Sequence, residues 1–181
     1  MKRLTRSFFA RPSHVVAPEL LGCVMRYGEL AGRIDEVEAY GGADDAASHA
    51  FRGPTRRNSV MFGPPGQLYV YFTYGMHHCA NVVTGDDGAG EAVLIRSVVP
   101  LNGIDTMRTR RAKARNDRTL ANGPGKLCAA FALDLSHNGV DLCRGELGIW
   151  HTSHSVNEVE ITPRIGISKE IARPWRWRLV A

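Results

Sequence analysis

The residues Glu36, Glu38, Tyr40 and His49 sit in the run EVEAYGGADDAASH and are the first in this chain with types and spacing suited to chemistry. On an extended strand alternate side chains share a face, so Ile34, Glu36, Glu38 and Tyr40 are expected to point one way and Asp35, Val37 and Ala39 the other. A carboxylate next to an aromatic is thereby aimed in one direction, which leaves several roles open. The Gly-Gly pair that follows predicts a turn that brings His49 back toward them.

A second cluster lies in QLYVYFTYGMHHCANVV. Tyr69 and Tyr71 share a strand face, and Tyr74 stands beside Gly75, where the chain should turn into the next strand. An aromatic at such a hairpin tip can act as a wedge that replaces the stacking lost when a base leaves a duplex. Basic residues group in two places: Arg52, Arg56 and Arg57, and the run Arg108, Arg110, Arg111, Lys113, Arg115 and Arg118. Each group can neutralise phosphates. A solvated helix face is the other reading of the second group.

Other motifs are rejected on chemistry. GPGKL (123–127) has Leu120 where a phosphate-binding loop needs its first glycine and Leu127 where it needs Ser or Thr. His77-His78 alternate faces of a strand, and His151 and His154 have no carboxylate or thiol at zinc spacing. No metal or other cofactor is expected. A Ser-His-Asp arrangement is not recognisable from spacing.

The elements that must hold these residues follow from hydrophobic patterning. A short helix is expected near 16–22, closed by Gly22. Strands are read at CVMRY, RIDEVEAY, QLYVYFTY, HHCANVV and EAVLIRSVV, helices over Gly103 to Arg118 and in LANGPGKLCAAFAL, and strands again at ELGIWH, VEITPRIGI and WRWRLV. Without regular βαβ alternation this is an α+β pattern with a largely antiparallel sheet. The 181 residues, 44% hydrophobic, suit one domain with one sizeable core and show no repeat or long linker. The net charge of +5 suits a polyanionic partner. Cys23, Cys79, Cys128 and Cys143 are far apart and read as reduced thiols of a cytoplasmic protein. The N-terminal run is too short and interrupted for a signal or membrane span.

Together, EVEAYGGADDAASHAFRGPTRRNSVMF, PPGQLYVYFTYGMHHCANVV, GEAVLIRSVVPLNGIDTMRTRR and NGPGKLCAAFAL resemble the alkyladenine DNA glycosylases, the mammalian type of 3-methyladenine DNA glycosylase. The similarity runs in order from about Leu20 to the RPWRW segment. It implies a single α+β domain over 1–181, with a largely antiparallel, curved β-sheet flanked by helices and a protruding β-hairpin, close to a minimal catalytic domain. It also implies that Glu38 activates the water, and that Tyr40, His49 and Tyr71 enclose the flipped base. Asn81 would crowd the amino group of normal guanine. Tyr74 would fill the gap in the duplex with Met76 beside it, and Arg96, Arg57 and Lys126 would contact DNA.

The implied protein is a monomer acting on double-stranded DNA with damaged purines, cytoplasmic, or nucleoid-associated in a bacterium. The activity would be monofunctional base excision of 3-methyladenine and 7-methylguanine, with hypoxanthine and ethenoadenine as further candidates, because no lysine falls at the nucleophile position. Two departures from the family pattern are His77-His78, in place of bulky aromatics, and a loop one residue shorter between His49 and Thr55. Two other classes are the alternatives: a noncatalytic DNA-bending module using Tyr74 and the arginines, and a divalent-metal phosphodiesterase with Glu36, Glu38, Asp44, Asp45 and His49 as ligands.

Overall fold

The protein was analysed as a computed structural model that describes residues 1–152 and 158–180. Its elements run β1 (Lys2–Arg3), α1 (Arg6–Phe9), α2 (Ser13–Leu20), β2 (Val24–Tyr27), β3 (Leu30–Gly41), β4 (Leu68–Thr73), β5 (His77–Thr84), β6 (Glu91–Asn102), α3 (Ile104–Arg110), α4 (Pro124–Phe131), β7 (Gly148–His151), β8 (Val159–Thr162) and β9 (Arg176–Leu179). The strands form one curved sheet in the order β1-β7-β2-β3-β6-β5-β4, and β9 joins β3 and pairs with β8. Every pairing among the described residues is antiparallel.

Period-2 alternation in β4, β5, the first half of β6 and the second half of β3 gives the sheet two different faces. Leu68, Val70, Ala80, Val82, Val93, Ile95, Val37 and Ala39 pack with Val16, Ala17 and Leu20 of α2 and with Leu127, Cys128 and Phe131 of α4 in the main core. Tyr69, Val83 and Ala92 face the other way and pack with Ala50 and Met61 of the 42–62 connection. That second, thinner layer leaves room for a cavity.

Four differences from the sequence reading have local causes. The pairing of β3 with β6 slips between Ile34 and Glu36 and again between Glu36 and Val37, so Asp35 is the extra residue of a bulge. Ile34 therefore joins Val37 and Ala39 in the core rather than Glu38 and Tyr40. The early helix spans Ser13–Leu20 rather than 16–22, and Gly22 (φ 80°) turns the chain into β2. The helix after Gly103 stops at Arg110, because the chain folds back and Arg108 grips Asp117 with two nitrogens at 2.9 and 2.8 Å. Strand β8 ends at Thr162, before Pro163, so PRIGI is a loop. His154 lies outside the described residues.

Candidate active site

A single row of directly opposed residues crosses five strands: Tyr69 of β4, Asn81 of β5, Leu94 of β6, Glu38 of β3 and Arg176 of β9. Opposed residues on one face of a sheet lie side by side. This register brings chain positions far apart in sequence to the floor of one cavity of about 500 Å³, lined by Glu38, Tyr40, His49, Tyr71, Asn81 and Arg96 among others.

The Glu38 side chain is 0% exposed, and its carboxylate has partners on both oxygens. Oε1 accepts from the Ile165 amide at 2.8 Å and pairs with Arg96 Nη1 at 3.1 Å. Oε2 accepts from the Tyr40 hydroxyl at 2.9 Å. Burial, then the neighbouring Glu38 charge, pushes the Tyr40 hydroxyl far above its usual range, so it stays a proton donor. A buried carboxylate held by three donors has its position fixed before any ligand arrives.

Glu36, for which the sequence offered no role, is the next link. Its Oε1 accepts from Arg96 Nε at 2.6 Å and Arg176 Nε at 2.7 Å. Burial alone would raise its pKa, but hydrogen bonds from Arg176 and Arg96 leave it below the usual carboxylate range. Arg96 is therefore turned toward the carboxylates at the floor, and its side chain is 13% exposed.

The walls are aromatic. His49 meets the Tyr71 ring edge to face at 4.5 Å, and its Nδ1 lies 3.1 Å from the Tyr69 hydroxyl. Burial, then the Arg57 charge, lowers the His49 imidazole below its ordinary value. Desolvation pushes the Tyr71 hydroxyl far up and the Tyr69 hydroxyl to about 12. Asn81 is buried and anchored by its Nδ2 donating to the Tyr69 carbonyl at 3.1 Å. The Gly-Gly turn works as a turn: Gly42 has φ 66°, and a side chain there would collide with the Ala89 carbonyl.

The hairpin tip borders the same cavity. Tyr74 and Gly75 have φ of 51° and 67°, and Tyr74 and Met76 are 80% and 70% exposed. A bulky aromatic in the left-handed region is strained. Arg57 donates to the Phe72 carbonyl at 3.1 Å, with its guanidinium 5.9 Å from the Tyr71 ring. Lys126 is exposed on the first turn of α4 and reaches Asn122. Met76, Arg57 and Lys126 do not line the cavity, although the neighbouring Tyr74, Tyr71 and Pro124 do. His77 packs against Gly125 of α4, and His78 faces Phe72 at 5.0 Å.

Sequence reasoning missed the segment 164–169. Ile165 to Lys169 line one side of the cavity, and Arg164, buried beneath it, forms a two-armed pair with Asp45. Only the proline that stops β8 hinted at a loop there. The basic run is also less free than it reads, since Arg108 holds Asp105 and Asp117, and Arg110 and Arg111 donate to the Ala130 and Leu120 carbonyls. Glu36, Glu38, Asp44, Asp45 and His49 are not gathered into a ligand set among the described residues; Glu36 Oε1 and both Asp45 oxygens bind guanidinium groups. Among the same residues, no helix is long and apolar enough to cross a membrane.

The model of the family described as methylpurine-DNA glycosylase (MPG) matches residues 7–181. Relatives named "Putative 3-methyladenine DNA glycosylase" include one from Streptomyces avermitilis, 48% identical over 96% of this chain and 86% of its own. Another, from Burkholderia lata, is 47% identical over 96% and 86%. A third, from Carboxydothermus hydrogenoformans, is 48% identical over 97% and 94%.

Proposed function

The chain belongs to the methylpurine-DNA glycosylase family, a hydrolase acting on N-glycosyl bonds, and from that premise we propose how its own residues release a damaged purine. The enzyme binds duplex DNA, turns an alkylated purine such as 3-methyladenine or 7-methylguanine out of the stack into the cavity, and hydrolyses its N-glycosidic bond. One observation carries the reading: the cross-strand row that sets a fully buried, three-donor carboxylate, Glu38, at the floor of an aromatic-walled cavity whose rim carries an exposed tyrosine.

Cleavage of an N-glycosidic bond passes through an oxocarbenium-like state, so the site needs negative charge near the sugar and a base for the attacking water. Glu38 supplies both. Tyr40 and Arg96 hold its oxygens, and the Ile165 amide fixes the remaining direction of approach. Because alkylation at N3 or N7 already makes the purine a cationic leaving group, little acid help is required. Tyr40 and Tyr71 favour a cation over a neutral base through their ring faces.

Asn81, immobilised on the Tyr69 carbonyl, is the group placed to reject the amino group of normal guanine. Tyr74 enters the duplex and occupies the space the base leaves, with Met76 beside it, while Arg57 and Lys126 meet phosphates around the opening. Turning out a base costs a few kcal/mol, and less for a weakly paired lesion, which adds a filter before chemistry.

The test is a duplex carrying one 3-methyladenine, incubated with the protein and a chelator, scoring free base and alkali-labile sites. Release of free 3-methyladenine with an intact strand until alkali is added is the expected result. Strand cleavage without alkali, or activity abolished by the chelator, contradicts the reading.

A further inference from the structure

We propose that Arg164 is a positioning residue for base release, clamping the Tyr40 ring and the Ile165 amide against the Glu38 carboxylate; the proposal rests on the function given above. The Arg164 side chain is fully buried and makes three hydrogen bonds, one to β3 and two to Asp45 in the turn that follows it. Nη2 donates to Asp45 Oδ1 at 2.8 Å and Nη1 to Asp45 Oδ2, while Nη1 also donates at 2.9 Å to the carbonyl of Ala39, the residue between Glu38 and Tyr40. Its guanidinium lies 4.7 Å from the centre of the Tyr40 ring.

The same residue precedes Ile165, whose amide donates to Glu38 Oε1 at 2.8 Å. One side chain thus anchors both the loop that supplies one donor to Glu38 and the ring that supplies another. Asp45 completes the clamp from the turn side, because it accepts from the Gly41 and Ala47 amides, each at 3.1 Å. The Trp175 ring lies 5.6 Å from the guanidinium, and the Trp175 carbonyl accepts from the Ala39 amide.

A stabilising role alone accounts for this poorly. Two ions taken from water repay their desolvation only with full hydrogen bonding, and apolar replacement of such a pair is often neutral or stabilising. Among the described residues Arg164 Nε has no partner, so the guanidinium is not fully satisfied there. What the planar fork does supply is geometry: two parallel bonds to Asp45 and a flat face for Tyr40, which an ammonium cannot reproduce.

The experiment uses Arg164→Lys, which keeps the charge, and Arg164→Met combined with Asp45→Asn, which removes both charges so that no unpaired ion is left buried. Three quantities are measured for each: affinity for the lesion duplex, single-turnover base release, and solvent exchange of the Ile165 amide in the free protein. Both variants are expected to bind within about twofold of wild type and to release base roughly 10 to 100 times more slowly, as for a displaced reacting group. The Ile165 amide should lose its protection.

Release at the wild-type rate, binding and release falling in parallel, or an Ile165 amide still protected overturns the proposal. Failure of both variants to fold makes the pair a structural one and overturns it too; if only Arg164→Lys fails, the double variant decides. A wild type that releases no base refutes the assigned function instead, and Ile165 exchange then decides the clamp alone.

Discussion

At the floor of the cavity Glu38 is fully buried and touched by three donors, whereas at its rim Tyr74 is 80% exposed and sits in a strained left-handed turn. The two regions solve different problems. The floor presents one charge in one direction, and the carboxylates around it are tied: Glu36 to Arg96 and Arg176, Asp45 to Arg164. On the function proposed above the rim enters a stack of bases, and its aromatic is accordingly left largely exposed in the free protein. In that proposal, binding energy realised at the rim delivers a base to a floor already in place.

Breaking the floor should therefore cost far more than breaking the rim. Arg96→Met leaves Glu36 and Glu38 short of a counterion, and breaking a mostly buried pair is expected to destabilise the fold by roughly 3 kcal/mol, read by denaturant unfolding. Tyr74→Ala should shift that same transition by less than about 0.5 kcal/mol. Its effect should appear on DNA instead, as roughly a tenfold smaller flipped population with a fluorescent base beside the lesion, given that stacking contributes on the order of 1–3 kcal/mol.

Tyr74→Gly sharpens the contrast, because it removes the wedge and the left-handed strain together. It should melt at or above the wild-type temperature while flipping no better than Tyr74→Ala. A rim residue whose removal lowers stability would break the distinction.

The smallest effect expected is a pH dependence from the wall. His49 has an imidazole lowered from the ordinary 6.5 by burial and by Arg57. As pH falls below 6.5 the unfolded chain takes up the proton first. The stabilising contribution of neutral His49 is thus complete above that value and is lost as pH falls toward the lowered folded value. His49→Gln should flatten the acid side of the stability profile; an unchanged slope between pH 7 and 5 would show that other groups carry it.

What could be read from the sequence was what depends on neighbours in the chain. Glu38 and Tyr40 share a face because alternation is a local property, and Tyr74 stands at a hairpin tip because Gly75 follows it. The main strands of the sheet were legible for the same reason. The bulge at Asp35 was not, since it arises where β3 exchanges β2 for β9 along one edge and both sides must find a register. Nor was the pairing of Arg164 with Asp45, 119 residues apart, which is set by the way the loop after β8 crosses the end of β3. The helix after Gly103 was overread because its charge pattern is helical, while its end is decided by the Arg108–Asp117 contact. Residue roles came from motif resemblance; their spatial company came only from the fold.

The central claim, that the rim delivers the base and Glu38 performs the chemistry, is tested most directly by Glu38→Gln on a lesion duplex with a fluorescent base beside the 3-methyladenine. Flipping amplitude and free-base release are followed in one single-turnover experiment. The account predicts flipping within about twofold of wild type and release slower by at least about 100-fold, the scale of a lost general base. Release by Glu38→Gln at the wild-type rate would contradict it.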